Sequence, residues 1–167
     1  MRIRGPLLAL ALTTSLVAFL AACSTGGPTA GQRTLSAEIL LHVNAARASG
    51  VTCGTIAKPS VPPLKMHDLL IQAAQAHSDD MLSMNELTHT GSDGSNPGQR
   101  IARTGYQYST WGENAAMGYP NEASVVKGWL GSTPHCNSIM SASFTEMGAA
   151  RAGSYWTLAF ATPKVPK

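Results

Sequence analysis

A chain of 167 residues with 44% hydrophobic side chains and a net charge of +3 is long enough for one domain around a single core. Its 12 Lys and Arg are interspersed with 9 Asp and Glu and form no basic run, which excludes the clustered positive footprint that nucleic acid demands. No internal repeat is present. The first element is a leader: Met1-Arg2-Ile3-Arg4, then an apolar run from Leu7 to Leu20 broken by Thr13, Thr14 and Ser15. That run is too short and interrupted to cross about 30 Å of hydrocarbon, and residues 1–22 read as an export signal.

The leader ends in "LAAC", Leu20 to Cys23, which resembles the lipobox of bacterial lipoproteins. In those proteins the cysteine is joined to diacylglycerol and the signal is cleaved before it. The resemblance implies an extracytoplasmic chain held on the bacterial cell membrane through lipid on Cys23; plain secretory cleavage after Ala22 is the alternative. Cleavage removes Arg2 and Arg4 and leaves the mature chain close to neutral. Residues 23–33, "CSTGGPTAGQR", hold too little apolar surface to offset their chain entropy and are expected to be a flexible tether.

The folded domain is expected over 34–163. A first helix, Thr34 to Ser49, places Leu35, Ile39, Val43 and Ala46 on one face, with Gly50 as its stop. After the Pro-rich "KPSVPP", a second helix is expected from Leu64 to Asn85, its stripe formed by Met66, Leu70, Ala73, His77, Met81 and Met84. That placement makes His77 a core-edge histidine. A loop carrying His89 follows, then a short helix capped by Asn96 with Pro97 first and Gly105 as stop. A short strand is expected at Tyr106 to Tyr108, a helix at Asn121 to Leu130, and a turn of helix capped by Thr133 that carries His135 and Cys136. A hairpin, Phe144 to Ala152 and Tyr155 to Ala161, closes the chain. Helices early and strands late predict an α+β sandwich with an antiparallel sheet.

If Cys23 carries lipid, Cys53 and Cys136 are the remaining pair. In an oxidising compartment they are expected to form a disulfide, whose loop closure would stabilise by roughly 4 kcal/mol at most. A reactive Cys136 thiol beside His135 is the alternative.

Four segments, "LTHTGSDGSNPGQRIARTGY", "GENAAMG", "VVKGWLGSTPHCNSIM" and "FTEMGAA…YWTLAFA", together resemble the bacterial branch of the CAP superfamily. That superfamily also holds cysteine-rich secretory proteins, wasp-venom antigens and plant pathogenesis-related proteins. The resemblance runs from Asn44 and Arg47 to Phe160 and implies a three-layer α-β-α sandwich with a central, mainly antiparallel sheet. It also implies a cleft: complete family sites have two histidines and two acids, and here His89, Glu113 and His135 match three of them. Where the second acid stands one turn beyond a tryptophan such as Trp129, this chain has Ser132. Glu146 is a family-like acid that no motif maps onto that position, and is carried as a tentative cleft residue.

Two functions follow as expectations. The first is a binding module for a lipid, a peptide or a cell-envelope component. The second is a metal-dependent hydrolase with His89 and His135 holding zinc or another divalent ion and Glu113 as ligand or base, since imidazoles and a carboxylate can leave a fourth position open to water. No nucleophile elbow of a serine hydrolase is present.

Overall fold

The computed structural model describes Met1 and residues 26–165. The readings placed on the leader and on Cys23 lie outside the described residues. The first helix, α1, is Ala30–Ser49, and so begins inside the stretch read as tether. Its start is set by a capping box: the Gln32 N–H donates to Thr29 Oγ1 at 3.2 Å while the Thr29 N–H donates to Gln32 Oε1 at 2.7 Å. Two reciprocal bonds serve orphan donors of the first turn, which outweighs the Gly- and Pro-rich composition that pointed to a loop. Ile39, Val43 and Ala46 are buried as the periodicity predicts, and Gly50 ends the helix at φ 70°.

A small hairpin that periodicity did not show follows, β1 (Val51–Cys53) with β2 (Ile56–Lys58). Next comes β3, Lys65–Met66, where helix was expected. Met66 leaves the helical stripe because β3 pairs in parallel with Glu146 and Met147 and the His67 N–H donates to Met147 O at 2.9 Å. A long-range ladder wins over local propensity there. Helix α2 then runs Asp68–Met84, its first turn capped by His67 Nδ1, which accepts from the Leu69 N–H at 3.1 Å. Asn85 closes it in the left-handed conformation, φ 52°.

Helix α3 is Pro97–Arg103, capped by Asn96 as expected. The strand after it, β4, spans Tyr108–Met117 and absorbs the whole "WGENAAM" segment. Helices α4 (Glu122–Gly131) and α5 (Thr133–Ile139) follow, joined at Ser132, which ends one and begins the other. Thr133 is therefore the first residue of α5 and not its cap. The hairpin of β5 (Glu146–Ala152) and β6 (Tyr155–Pro163) turns at Gly153-Ser154.

The four-stranded sheet has the order β3-β5-β6-β4, antiparallel except for β3 with β5. Both faces of β5 and β6 are buried, and their alternation sorts two kinds of core. Trp156, Leu158, Phe160, Met147 and Ala149 meet α1, α4 and α5 through Val43, Val125, Trp129 and Ile139. Ala150, Ala159 and Ala161 meet α2 and α3 through Leu70, Ala73, Ala74 and Ile101. Large residues fill one side; small ones let α2 lie close against the other. At Gly148 a Cβ would strike the backbone of Leu70 and Ile71. The result is the helix-sheet-helix sandwich expected of the chain.

Cys53 and Cys136 are bonded, with their Cα atoms 5.5 Å apart and both fully buried. The bond joins the β1-β2 hairpin to α5. Arg47 secures the same region from α1. Buried to 1% exposure, it donates to the carbonyls of Pro62 (2.8 Å), Ile139 (2.6 Å), Ser141 (2.9 Å) and Phe144 (3.4 Å).

Candidate functional site

The "GEN" segment lies on β4, the outer strand, and its two polar residues point to opposite faces of the sheet. Glu113, paired in register with Ala159, faces the α2-α3 layer. Its carboxylate is almost wholly buried, at 4% exposure. Arg100 of α3 donates to its Oε2 at 2.8 Å, and His89 Nδ1 lies 2.8 Å from its Oε1. A carboxylate only accepts, so the His89 ring carries its proton on Nδ1 and, when neutral, presents a free lone pair on Nε2.

Arg100 has a second task. Its Nη2 donates to His89 O at 3.0 Å and its Nη1 to Ser95 O at 2.8 Å, so the guanidinium that holds Glu113 also fixes the loop that carries His89. His77, fully buried on α2, approaches the same carboxylate with Nε2 at 3.5 Å from Oε1. That nitrogen donates to Thr88 O at 2.8 Å, leaving Nδ1 buried without a partner. His77 is a core residue, as the helical stripe predicted, and also part of the ring around Glu113. Arg100 and His77 were missed as site residues because their role is visible only through Glu113, which is far from both in sequence; the buried position of His77 on the stripe was the one available signal.

Asn114 faces the other layer. Its Nδ2 donates to the carbonyl of His135 at 3.0 Å. Adjacent residues of one strand thus hold the two candidate histidines: Glu113 by the ring of His89, Asn114 by the backbone of His135. The disulfide at Cys136 fixes the same turn of α5 from behind.

The two imidazoles differ electrostatically. His89, half exposed, is raised from its ordinary pKa by its hydrogen bond to Glu113, against the opposing effects of burial and Arg100. His135 is lowered by burial and, secondarily, by the charge of His89. His77 is lowered, chiefly by burial, and stays neutral at pH 7.

Beside His135 lies a recess of about 250 Å³ lined by Leu87, Ala115, Met117, Tyr119 and Trp129. Leu87 and Met117 remain substantially exposed. Ser132, at the place where the second acid was absent, is also in this wall. Its lining therefore carries no fixed charge, and His135 is its one histidine.

Glu146 is elsewhere. It begins β5, pairs with Ala161 and Lys65, and accepts the Tyr106 hydroxyl at 2.6 Å. Burial and that carboxylate together raise the Tyr106 pKa. The tentative placing of Glu146 in the cleft is corrected accordingly: its strand enters the sheet two residues away along the ladder and two strands across from Glu113.

As arranged, the donors fit a three-ligand metal centre poorly. Glu113 is already engaged by Arg100 and His89, which leaves two imidazoles, and among the described residues no group of three His, Cys, Asp or Glu is placed to hold an ion.

The family model described as the cysteine-rich secretory protein family, CAP, matches residues 40–160. The uncharacterized protein YkwD of Bacillus subtilis (strain 168) is 33% identical over 105 residues, which cover 62% of this chain and 41% of that protein. An extracellular protein containing an SCP domain from Bacillus anthracis has the same fold, with a TM-score of 0.69 at 22% identity over 82% of this chain and 45% of its own. An outer surface protein of Borrelia burgdorferi superposes with a TM-score of 0.63 at 19% identity, over 83% of this chain and 98% of that one. The chain thus spans under half the length of the two Bacillus proteins and nearly all of the Borrelia one. With the match over 40–160 and the sandwich that carries it, the chain belongs to the CAP, or cysteine-rich secretory protein, family.

Proposed function

We propose that this is an exported, membrane-held binding module whose cleft engages an amphipathic ligand, a lipid or an apolar peptide of the cell envelope. The observation that carries the reading is the place of His135 in the wall of an uncharged recess formed with Leu87, Met117, Tyr119 and Trp129. Such a recess takes an acyl or aromatic group, while the His135 imidazole hydrogen-bonds its polar end. Export and attachment rest on the leader and on Cys23; the extracellular and outer-surface relatives support the first. Lipid on Cys23 is the proposed means of attachment; no described helix is long and apolar enough to cross a membrane. Replacing Cys23→Ser should release the chain from the membrane fraction with loss of acyl mass.

One observation favours the hydrolase reading. The Nδ1–H of His89 is held by a carboxylate, which orients Nε2 outward as in histidines that bind metal. If zinc were bound, His89 and His135 would hold it, and it would supply Lewis acidity at the cleft.

Titration of the full chain with decanoate and, separately, with zinc distinguishes the two. The binding reading expects saturable NMR shifts at Ala115 to Met117 and His135 with decanoate, lost on filling the recess by Gly128→Phe or on His135→Ala. Tight zinc binding with a hydrolytic activity abolished by chelator, and no decanoate response, would replace it with the metal-dependent hydrolase.

A further inference from the structure

Around the β5-β6 turn, one end of the sandwich leaves three large apolar side chains about half exposed. Leu82 of α2, Leu87 in the loop after it and Met117 at the end of β4 are 46%, 46% and 49% exposed. They are neighbours about that turn. Leu82 packs on Gly153, where a Cβ would come within 2.9 Å of its Cδ1. Met117 pairs in register with Tyr155, and the Gly118 N–H donates to Ser154 O at 2.9 Å. Leu87 and Met117 meet in the wall of the recess beside His135. Single exposed apolar residues are ordinary, but these three stand together at the rim of an apolar hollow.

The route of the chain indicates what covers them. Gly26 and Gly27 line a hollow on the outer side of α2 with Gln75, Ala76 and Asp79. Leu82 lies on that same face of the helix, one turn beyond Asp79 and two beyond Gln75. Cys23 precedes Gly26 by three residues, a reach of roughly 11 Å at full extension. Lipid on Cys23 would therefore enter the membrane beside the outer side of α2, with the bilayer close to the later turns of that helix. Charge at this end is balanced. Arg151 stacks on the Trp156 ring and donates to Gly153 O and Pro120 O, with no acid paired to it among the described residues. Glu86 next to Leu87 and Glu122 just past Tyr119 offset it. Apolar contact is left as the main attraction to a lipid surface.

Resting on the lipid attachment and the ligand recess proposed above, we propose that this end of the domain lies on the membrane that anchors it, with Leu82, Leu87 and Met117 inserted among the upper acyl carbons. The recess then opens onto the bilayer, and its amphipathic ligand is a membrane lipid that enters without crossing water. Other exposed apolar groups stay in water: Leu41, on α1 across the sheet, and Trp111, on β4 but six residues or roughly 20 Å from Met117.

The test uses the protein purified from the membrane fraction, its acyl mass verified, in phosphatidylcholine nanodiscs that carry a doxyl spin label near the headgroup end of one acyl chain. The methyl signals of Leu82, Leu87 and Met117 should be lost to paramagnetic broadening, while the Leu41 methyls and the Trp111 indole N–H keep theirs. Leu82→Glu, an exposed change outside the recess, should restore the Leu87 and Met117 signals and leave the decanoate shifts of the recess, read in detergent, as in the parent. An acylated chain in which those three methyls are unbroadened, or in which Leu41 and Trp111 are broadened equally, would overturn the docking and leave the recess reading standing. A folded Leu82→Glu broadened like the parent would do the same. Recovery of a chain without acyl mass would overturn the docking together with the attachment through Cys23, and loss of the decanoate response in the parent would overturn the recess reading and, with it, the lipid entry.

Discussion

Glu113 is the residue on which the candidate site turns, because one buried carboxylate orients His89, pairs with Arg100 and faces His77. Raising the His89 pKa above its ordinary 6.5 means that the folded chain binds that proton more tightly than the unfolded one. The resulting stabilisation is complete below pH 6.5 and is lost as pH rises through the folded-state value. His77 and His135, both lowered, act with the opposite sign: they cost stability as pH falls below 6.5. In Glu113→Gln the His89 midpoint should fall and the loss of stability above pH 6.5 should disappear. Imidazole NMR titration reads the first and urea unfolding across pH the second; an unmoved His89 midpoint would show that Glu113 does not set its protonation. Arg47 is a second residue of this kind. Arg47→Met should cost about 3 kcal/mol in urea unfolding, since it leaves several buried carbonyls without a donor; a loss below about 1 kcal/mol would mean that water or a rearranged loop serves them.

Among the elements, the contact of α2 with β5 has the least tolerance. Gly148 lies where a Cβ would meet main-chain atoms of Leu70 and Ile71, which cannot move aside as a flexible side chain could. Gly148→Ala is therefore expected to destabilise by about 2 kcal/mol or more through displacement of α2. Because α2 carries His77, the same variant should also disturb the His89 resonance, although residue 148 touches neither histidine. Wild-type stability would mean that α2 can slide along the sheet. Helix α5 shows the complementary case of a short element held from outside. Its cap residue Ser132 makes no side-chain hydrogen bond, and its place is set by the Asn114 bond to His135 O and by the disulfide at Cys136.

Over the whole molecule, the Cys53–Cys136 bond closes a loop of 83 residues that contains α2, α3, β4 and α4. Cys53→Ser with Cys136→Ser should lower stability by up to roughly 4 kcal/mol, the upper loop-entropy figure, and should perturb His135 more than His89 because only His135 adjoins the bond. Equal stability of the double variant by urea unfolding would refute this. The pairing of these cysteines, the existence of the main helices, the buried stripe through Leu70, Ala73, His77 and Met81, and the family itself were accessible from the sequence alone. The helices and the stripe depend on local period and capping chemistry, which neighbours along the chain determine; the pairing came from a count of cysteines with Cys23 assigned to lipid, and the family from the resemblance of four ordered segments to known relatives. What only the tertiary structure decided depends on partners distant in sequence. Lys65 and Met66 became a strand because β5 offered them a ladder, and Ala30 became helical through a cap hidden in a Gly-rich stretch. Glu146 went to Tyr106 rather than to the cleft. Arg100 and His77 joined Glu113 because α2, α3 and β4 pack together there, and charge pairing across that packing has no signature in the order of the residues.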